Sequence, residues 1–312
     1  MKVAVFGGSG FIGSNLVNRL VADGHSLRIF DHAPTQGLIG ETEPQITRFF
    51  GDFSTQKDFS EVLSGCDVVF HLISTVLPGS SNQNILGDIQ ENLIPTIRLV
   101  ENMKVCGVPR LIFPSSGGTV YGNAQYLPIN EQHPTQPLVS YGVTKLAIEK
   151  YLAIYRNEFG FLPICLRISN PYGPGFKIGS PQGAIGAFLR KAIEGQPIEI
   201  WGTGEVRRDY LYIKDLVEAM VSSMTYSGAE QVLNISAGVG TSLIELTEII
   251  QSVLGRRIKV NHQKNRNFDV QTNILDNSLA QTELNWLPTT SLEQGIRTTA
   301  TWLMQKSSRS TI

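Results

Sequence analysis

The chain has 312 residues, and its 26 Lys and Arg against 27 Asp and Glu give a net charge of -1. With 41% hydrophobic and 17% charged residues it has the composition of an ordinary soluble globular protein, long enough for one large domain or two smaller ones sharing a cleft. No run of Lys and Arg offers an electrostatic footprint, so neither nucleic acid nor an anionic membrane is expected as a partner.

Through the first half, short apolar runs alternate with longer amphipathic stretches, the pattern of strands and helices in a parallel sheet. The pattern predicts strands over 2–6, 26–30, 47–50, 68–71, 110–114 and 164–168, and helices over 11–23, 83–106 and 140–159. After Pro171, proline and glycine become frequent, as in NPYGPGFKIGSPQG, and the regular alternation stops. The expected fold is α/β: a Rossmann-type doubly wound parallel sheet over 1–170 that binds a dinucleotide, with a smaller C-terminal α/β substrate-binding region over 171–312. Segments within about 205–240, with strands near 208–212 and 231–235, are expected to return to the main sheet.

The chain opens directly on the strand MKVAVF without the pattern of a secretory leader, and no apolar run is long enough to span a bilayer. Cys66, Cys106 and Cys165 each adjoin an apolar segment, with no Cys or His at metal-ligand spacing. A cytoplasmic protein with reduced thiols and no metal site is expected.

The first strand runs into Gly7-Gly8-Ser9-Gly10-Phe11-Ile12-Gly13, and a helix follows at once. Glycine serves where backbone turns tightly and a diphosphate must approach it, and the helix N-terminus offers free amide donors to that anion. Gly7, Gly10, Phe11, Ile12 and Gly13 are therefore candidate cofactor contacts. The second strand ends at Asp31, where a carboxylate accepts from the adenosine ribose hydroxyls and repels a 2'-phosphate, which favours NAD over NADP. Arg28 and His32 lie near enough to count against that preference, and Asp52 after the third strand is a candidate for the adenine edge.

In SYGVTKLAIEKY, from Ser140 to Tyr151, Tyr141 and Lys145 stand four residues apart at the start of a predicted helix, the spacing at which side chains share a face. Tyr210 and Lys214 repeat the spacing, so the spacing alone decides nothing.

Taken together, GGSGFIG, the GD at Gly51, the HL at His71, SSGGTVYG from Ser115, YGVTK from Tyr141, RISNPYGPG from Arg167, RRDYLYIKDLV from Arg207, LNISAG from Leu233, RNFDV from Arg266 and LNWLP from Leu284 carry a resemblance over nearly the whole chain. The sequence resembles the extended short-chain dehydrogenase/reductases that act on nucleotide sugars, in particular UDP-glucose 4-epimerase-like enzymes. The resemblance implies that Tyr141 and Lys145 are the catalytic pair and also touch NAD, that Leu72 lies at the dinucleotide, and that Tyr210 and Lys214 mark an ordinary strand-to-helix junction. An ammonium beside the phenol is expected to lower its pKa from about 10 toward the working pH.

One departure stands out. Relatives carry a Ser or Thr at the position of Gly117 to hydrogen-bond the reacting hydroxyl, so Ser116, or else Thr119, is expected to substitute. Related dehydratases and decarboxylases carry Glu where this chain has Thr119, and the missing carboxylate favours epimerisation over elimination. The resemblance further implies that Asn170, Arg208, Arg266 and Asp269 grip the substrate, the guanidinium forks suiting phosphate oxygens. Asn273 replaces a bulky Tyr of some relatives and leaves room for an N-acetyl group. The helices over 83–106 and 140–159 correspond to a four-helix dimer interface, so a homodimer is expected.

The expected activity is NAD-dependent epimerisation of a nucleotide sugar, UDP-linked, at C4 through a transient 4-keto sugar. A 4-keto-sugar reductase and a non-catalytic NAD-binding regulator are the alternatives.

Overall fold

The structure is a computed structural model, and it describes residues 1–32, 44–176, 183–263 and 270–309. The first half contains β1 (Lys2–Phe6), α1 (Phe11–Ala22), β2 (Ser26–Asp31), β3 (Ile46–Phe50), α2 (Ser60–Leu63), β4 (Val68–His71), α3 (Ile85–Asp88), α4 (Ile94–Cys106), β5 (Arg110–Ser116), α5 (Ser140–Phe159) and β6 (Leu162–Ile168). The second half contains β7 (Asn170–Tyr172), α6 (Ala184–Ile193), β8 (Ile198–Trp201), β9 (Arg207–Tyr212), α7 (Ile213–Ser222), β10 (Val232–Ile235), β11 (Gly240–Ser242), α8 (Leu243–Leu254), β12 (Val260–Gln263), β13 (Thr272–Asn273), α9 (Ser278–Leu284) and α10 (Leu292–Arg309).

Among the described residues, seven strands form one sheet in the order β3-β2-β1-β4-β5-β6-β10. Every pairing in it is parallel. Strands buried on both faces show why the apolar runs are nearly continuous: Val3 and Val5 point to one face with Leu16, Leu20, Leu216 and Met220, while Ala4 and Phe6 point to the other with Leu99, Met103, Ile148 and Leu152. The order reverses between β1 and β4, and in sheets of this kind the crevice outside the strand C-termini at that point receives ligands.

The predicted helix over 83–106 is not uniform. A π-helical turn, Ile89–Leu93, joins α3 to α4, and Pro95 lies at the start of α4. Proline has no amide to donate to the preceding turn, so the ladder must change there.

Of the two segments expected to rejoin the main sheet, β10 does so, beside β6. The expectation for 208–212 is corrected. With β10 in the slot beside β6, β9 pairs instead with β7, β11 and β13 in a second small sheet. A separate apolar core built from Tyr172, Ile185, Leu189, Leu246, Ile250 and Ile296 supports that region.

Candidate active site

At the end of β1 the backbone turns with Gly7 at φ 90°. A Cβ on Gly13 would lie 2.1 Å from the Gly7 carbonyl oxygen, so only glycine lets α1 start this close to the strand. Gly10 caps α1 in extended backbone with no side-chain hydrogen bond. The amides of Phe11, Ile12 and Gly13, in the first turn, therefore lack intrahelical acceptors and suit an anion. Asp31 Oδ2 accepts from the Ser9 amide at 2.6 Å, which lays the carboxylate against the same turn. Arg28 is directed away, donating to the Glu61 carbonyl, so its closeness in sequence to Asp31 does not make a 2'-phosphate site. The Leu72 amide bonds the Phe6 carbonyl at 2.8 Å and brings the end of β4 to the turn. Asp52 is exposed, and its Oδ1 accepts from the Ser54 amide at 2.8 Å and hydroxyl at 2.7 Å. Those two bonds hold its carboxyl below the usual range. A turn with open amides, closed by a carboxylate at the strand end, fits the diphosphate and ribose of a dinucleotide.

Tyr141 and Lys145 occupy the first turns of α5, half-buried and buried respectively. Lys145 Nζ donates to the Pro114 carbonyl at 2.8 Å, sits 4.5 Å from the Phe113 ring centroid and lies 5.6 Å from that of Tyr141. Burial pushes the ammonium down to about 8, partly opposed by Asp88, Glu149 and Cys165. The expected depression of the phenol is not found. Burial and then the Asp88 charge push Tyr141 up to about 12, so it is a neutral phenol at ordinary pH. Tyr210 ends up in β9 and Lys214 in α7, so the second Tyr-x-x-x-Lys does not share a helix.

A small cavity of about 10 Å³ beside the pair is lined by Tyr141, Lys145, His71, Asp88, Asn92 and Thr96. The Thr96 hydroxyl donates to the Asn92 carbonyl at 2.6 Å, so toward His71 Nε2, 2.7 Å away, it accepts. The imidazole proton is thereby on Nε2, and Nδ1 is a buried acceptor with no partner. Burial, then the Lys145 charge, push His71 down to about 3. Asp88, Asn92 and Thr96 were not singled out from the sequence, although their four-residue spacing marks one helix face.

Ser116 ends β5, half-buried, its Oγ 3.9 Å from where a Gly118 Cβ would stand. Thr119 Oγ1 is buried without a partner, and a Cβ on Gly142 would lie 2.7 Å from the Thr119 carbonyl, so this loop touches the start of α5. At Gly117 a Cβ would meet Leu275 Cδ1 at 2.3 Å, so Leu275 occupies the space that a side chain would need.

Behind α5, Glu149 and Arg167 form a buried ion pair at 2.7 Å. Ser115 Oγ donates to Glu149, Arg167 Nη1 donates to Tyr121 Oη at 3.0 Å, and Tyr121 donates to Asn234 Oδ1 at 2.7 Å. This network locks the helix carrying the Tyr-Lys pair to β5, β6 and β10.

The small sheet gathers the expected substrate contacts: Asn170 pairs opposite Tyr210, and Asn273 opposite Arg208. Asn170 Nδ2 donates to the Asp209 carbonyl at 2.9 Å, and Arg208 Nη1 to the Arg207 carbonyl at 3.0 Å. Asn273 is buried; its Nδ2 donates to the Gly117 carbonyl at 3.0 Å and its Oδ1 has no partner. Arg266 and Asp269 lie outside the described residues.

A dTDP-4-dehydro-6-deoxyglucose reductase of Escherichia coli is 36% identical over 94% of this chain and 95% of its own. A UDP-glucose 4-epimerase of Mycolicibacterium smegmatis is 31% identical over 98% of this chain and 100% of its own. The crystal structure of a UDP-glucose 4-epimerase of Thermotoga maritima with UDP-glucose superposes with a TM-score of 0.92 at 29% identity, covering 98% of this chain and 100% of that one. The model of the NAD dependent epimerase/dehydratase family matches residues 3–236, from the glycine turn through the Tyr-Lys helix to β10, and the chain belongs to that family.

Proposed function

We propose that the protein epimerises a UDP-linked hexose at C4 through a transient 4-keto sugar. The observation that carries this is the Tyr141-Lys145 pair at the start of α5, in a chain of this family with no carboxylate at position 119 to assist elimination. Its likeness to enzymes named 4-epimerases over nearly full length supports the reading. NAD, held at the glycine turn and Asp31, would supply a reversible hydride acceptor for the sugar carbon. Tyr141, neutral in the free protein, acts as the base once bound substrate and cofactor favour its phenolate, taking the proton of the C4 hydroxyl and later restoring it to the carbonyl oxygen. Lys145, anchored on the Pro114 carbonyl, supplies the neighbouring positive charge. Ser116, or Thr119 through its unpartnered Oγ1, gives the hydrogen bond that relatives take from the position of Gly117.

In this proposal the glycine turn, Asp31, Asp52 and Leu72 hold NAD, and residues 1–170 and 171–312 divide cofactor and substrate between them. Asn170, Arg208, Arg266 and Asp269 hold the nucleotide diphosphate, and a small Asn273 leaves room for an N-acetyl group. Val143, Tyr151 and Ile154 form an exposed apolar stripe on α5 next to the exposed Ile85 and Leu86 of α3, which suits the face of a homodimer. The setting proposed is cytoplasmic, supplying sugars for polysaccharide synthesis; no described helix is long and apolar enough to cross a membrane.

The 36% identity to a 4-keto-sugar reductase favours a second reading that uses the same residues. A neutral Tyr141 is suited to protonate a 4-keto oxygen in that direction. Turnover without added reductant separates the two: the epimerase needs none, whereas the reductase consumes reduced nicotinamide with each sugar.

A further inference from the structure

Asp88 is 1% exposed and stands at the junction of α3 with the π-helical turn. Its Oδ2 accepts from the Ser140 hydroxyl at 2.7 Å, and its Oδ1 from Asn92 Nδ2 at 3.1 Å. Ser140 immediately precedes Tyr141, and its amide is held in turn by Asn82 Oδ1 at 2.8 Å. Asn92 Oδ1 accepts from the Thr75 amide at 2.9 Å, so Asp88 is fixed on one side by the helix start and on the other by the loop after β4. No ion pair involves Asp88 among the described residues, although buried carboxylates ordinarily have a cationic partner. It faces the cavity that Tyr141, Lys145 and His71 line.

We propose that Asp88 is a positioning residue of the acid-base centre: it fixes the start of α5 through Ser140 and acts by its negative charge on both Tyr141 and Lys145. The inference rests on the Tyr141-Lys145 reading of the site. The charge opposes ionisation of the phenol and favours the ammonium, so the proton stays on both groups until substrate and cofactor alter the balance. The other titratable groups facing the pair are His71 from β4, which is neutral, Glu149 one turn further along α5 and Cys165 from β6. Glu149 is paired with Arg167, so among the described residues Asp88 is the carboxylate facing Tyr141 and Lys145 that has no salt-bridge partner.

The test is the ultraviolet titration of tyrosinate in the full chain, with each protein read against the same protein carrying Tyr141→Phe. In Asp88→Asn, which keeps the shape and removes the charge, the Tyr141 midpoint falls by about one pH unit or more. In Ser140→Ala, which keeps the charge, it moves by much less. Asp88→Ser, smaller and neutral, replaces the Asn variant if that one does not fold. An unchanged midpoint in the folded neutral variant overturns the proposal, as does a Ser140→Ala shift equal to that of Asp88→Asn. The titration needs no turnover, so it stands or falls separately from the epimerase assignment. Where turnover is measurable, the acid limb of kcat moves down in pH with the midpoint, while KM for the nucleotide sugar stays within about twofold.

Discussion

Lys145 Nζ lies 5.6 Å from the ring centroid of Tyr141, and its hydrogen bond goes to the Pro114 carbonyl at 2.8 Å rather than to the phenol. The ammonium is therefore held at a fixed post on β5, apart from the phenol. Tyr141→Phe removes only the ionisable oxygen and should lower kcat about a hundredfold to ten-thousandfold with KM little changed. Steady-state rates checked alongside NAD content decide it; a loss in KM alone would assign Tyr141 to binding.

Asp31 lies against the glycine turn with one oxygen on the Ser9 amide. Replacing it with Ala should weaken NAD binding about tenfold or more, the scale of losing charge-assisted hydrogen bonds, and should narrow the preference for NAD over NADP. Calorimetric titration with each dinucleotide measures both effects.

His71 is neutral when folded, pushed down to about 3, and protonates near 6.5 when unfolded. Between those values the unfolded chain binds the additional proton, so stability is lost as pH falls from about 6.5 toward 3. His71→Gln should therefore lose about 2 kcal/mol less than the parent between pH 7 and pH 5. Urea unfolding of both proteins at the two pH values gives this difference directly.

The Glu149-Arg167 pair is buried on both sides, with side chains 3% and 5% exposed. Arg167→Met leaves Glu149 as an uncompensated buried charge and should destabilise the fold by about 3–5 kcal/mol, whereas the double change with Glu149→Leu should recover much of that. Chemical denaturation of the two variants checks the pair.

Much of this was legible from residue patterns. The sheet strands announce themselves because both faces are buried, and the glycine turn because close approach leaves no space for a Cβ at Gly13. Partner choice was less visible. That β9 pairs with β7 rather than the main sheet depends on which strand takes the slot beside β6, a matter of tertiary competition. Likewise, the sequence places a Lys near a Tyr but not the burial that raises the phenol, nor the Asp88 carboxylate contributed by another helix. Leu275 explains Gly117 only once the two, distant in sequence, are seen to occupy one space.

The most direct test of the central claim is proton NMR of the purified protein with UDP-glucose and, separately, UDP-N-acetylglucosamine, in the presence of catalytic NAD and no reductant. The account predicts the anomeric signal of the galacto epimer growing to equilibrium with at least one of them. Unchanged spectra from protein with NAD bound, together with consumption of reduced nicotinamide on a 4-keto nucleotide sugar, would contradict it and make the chain a reductase.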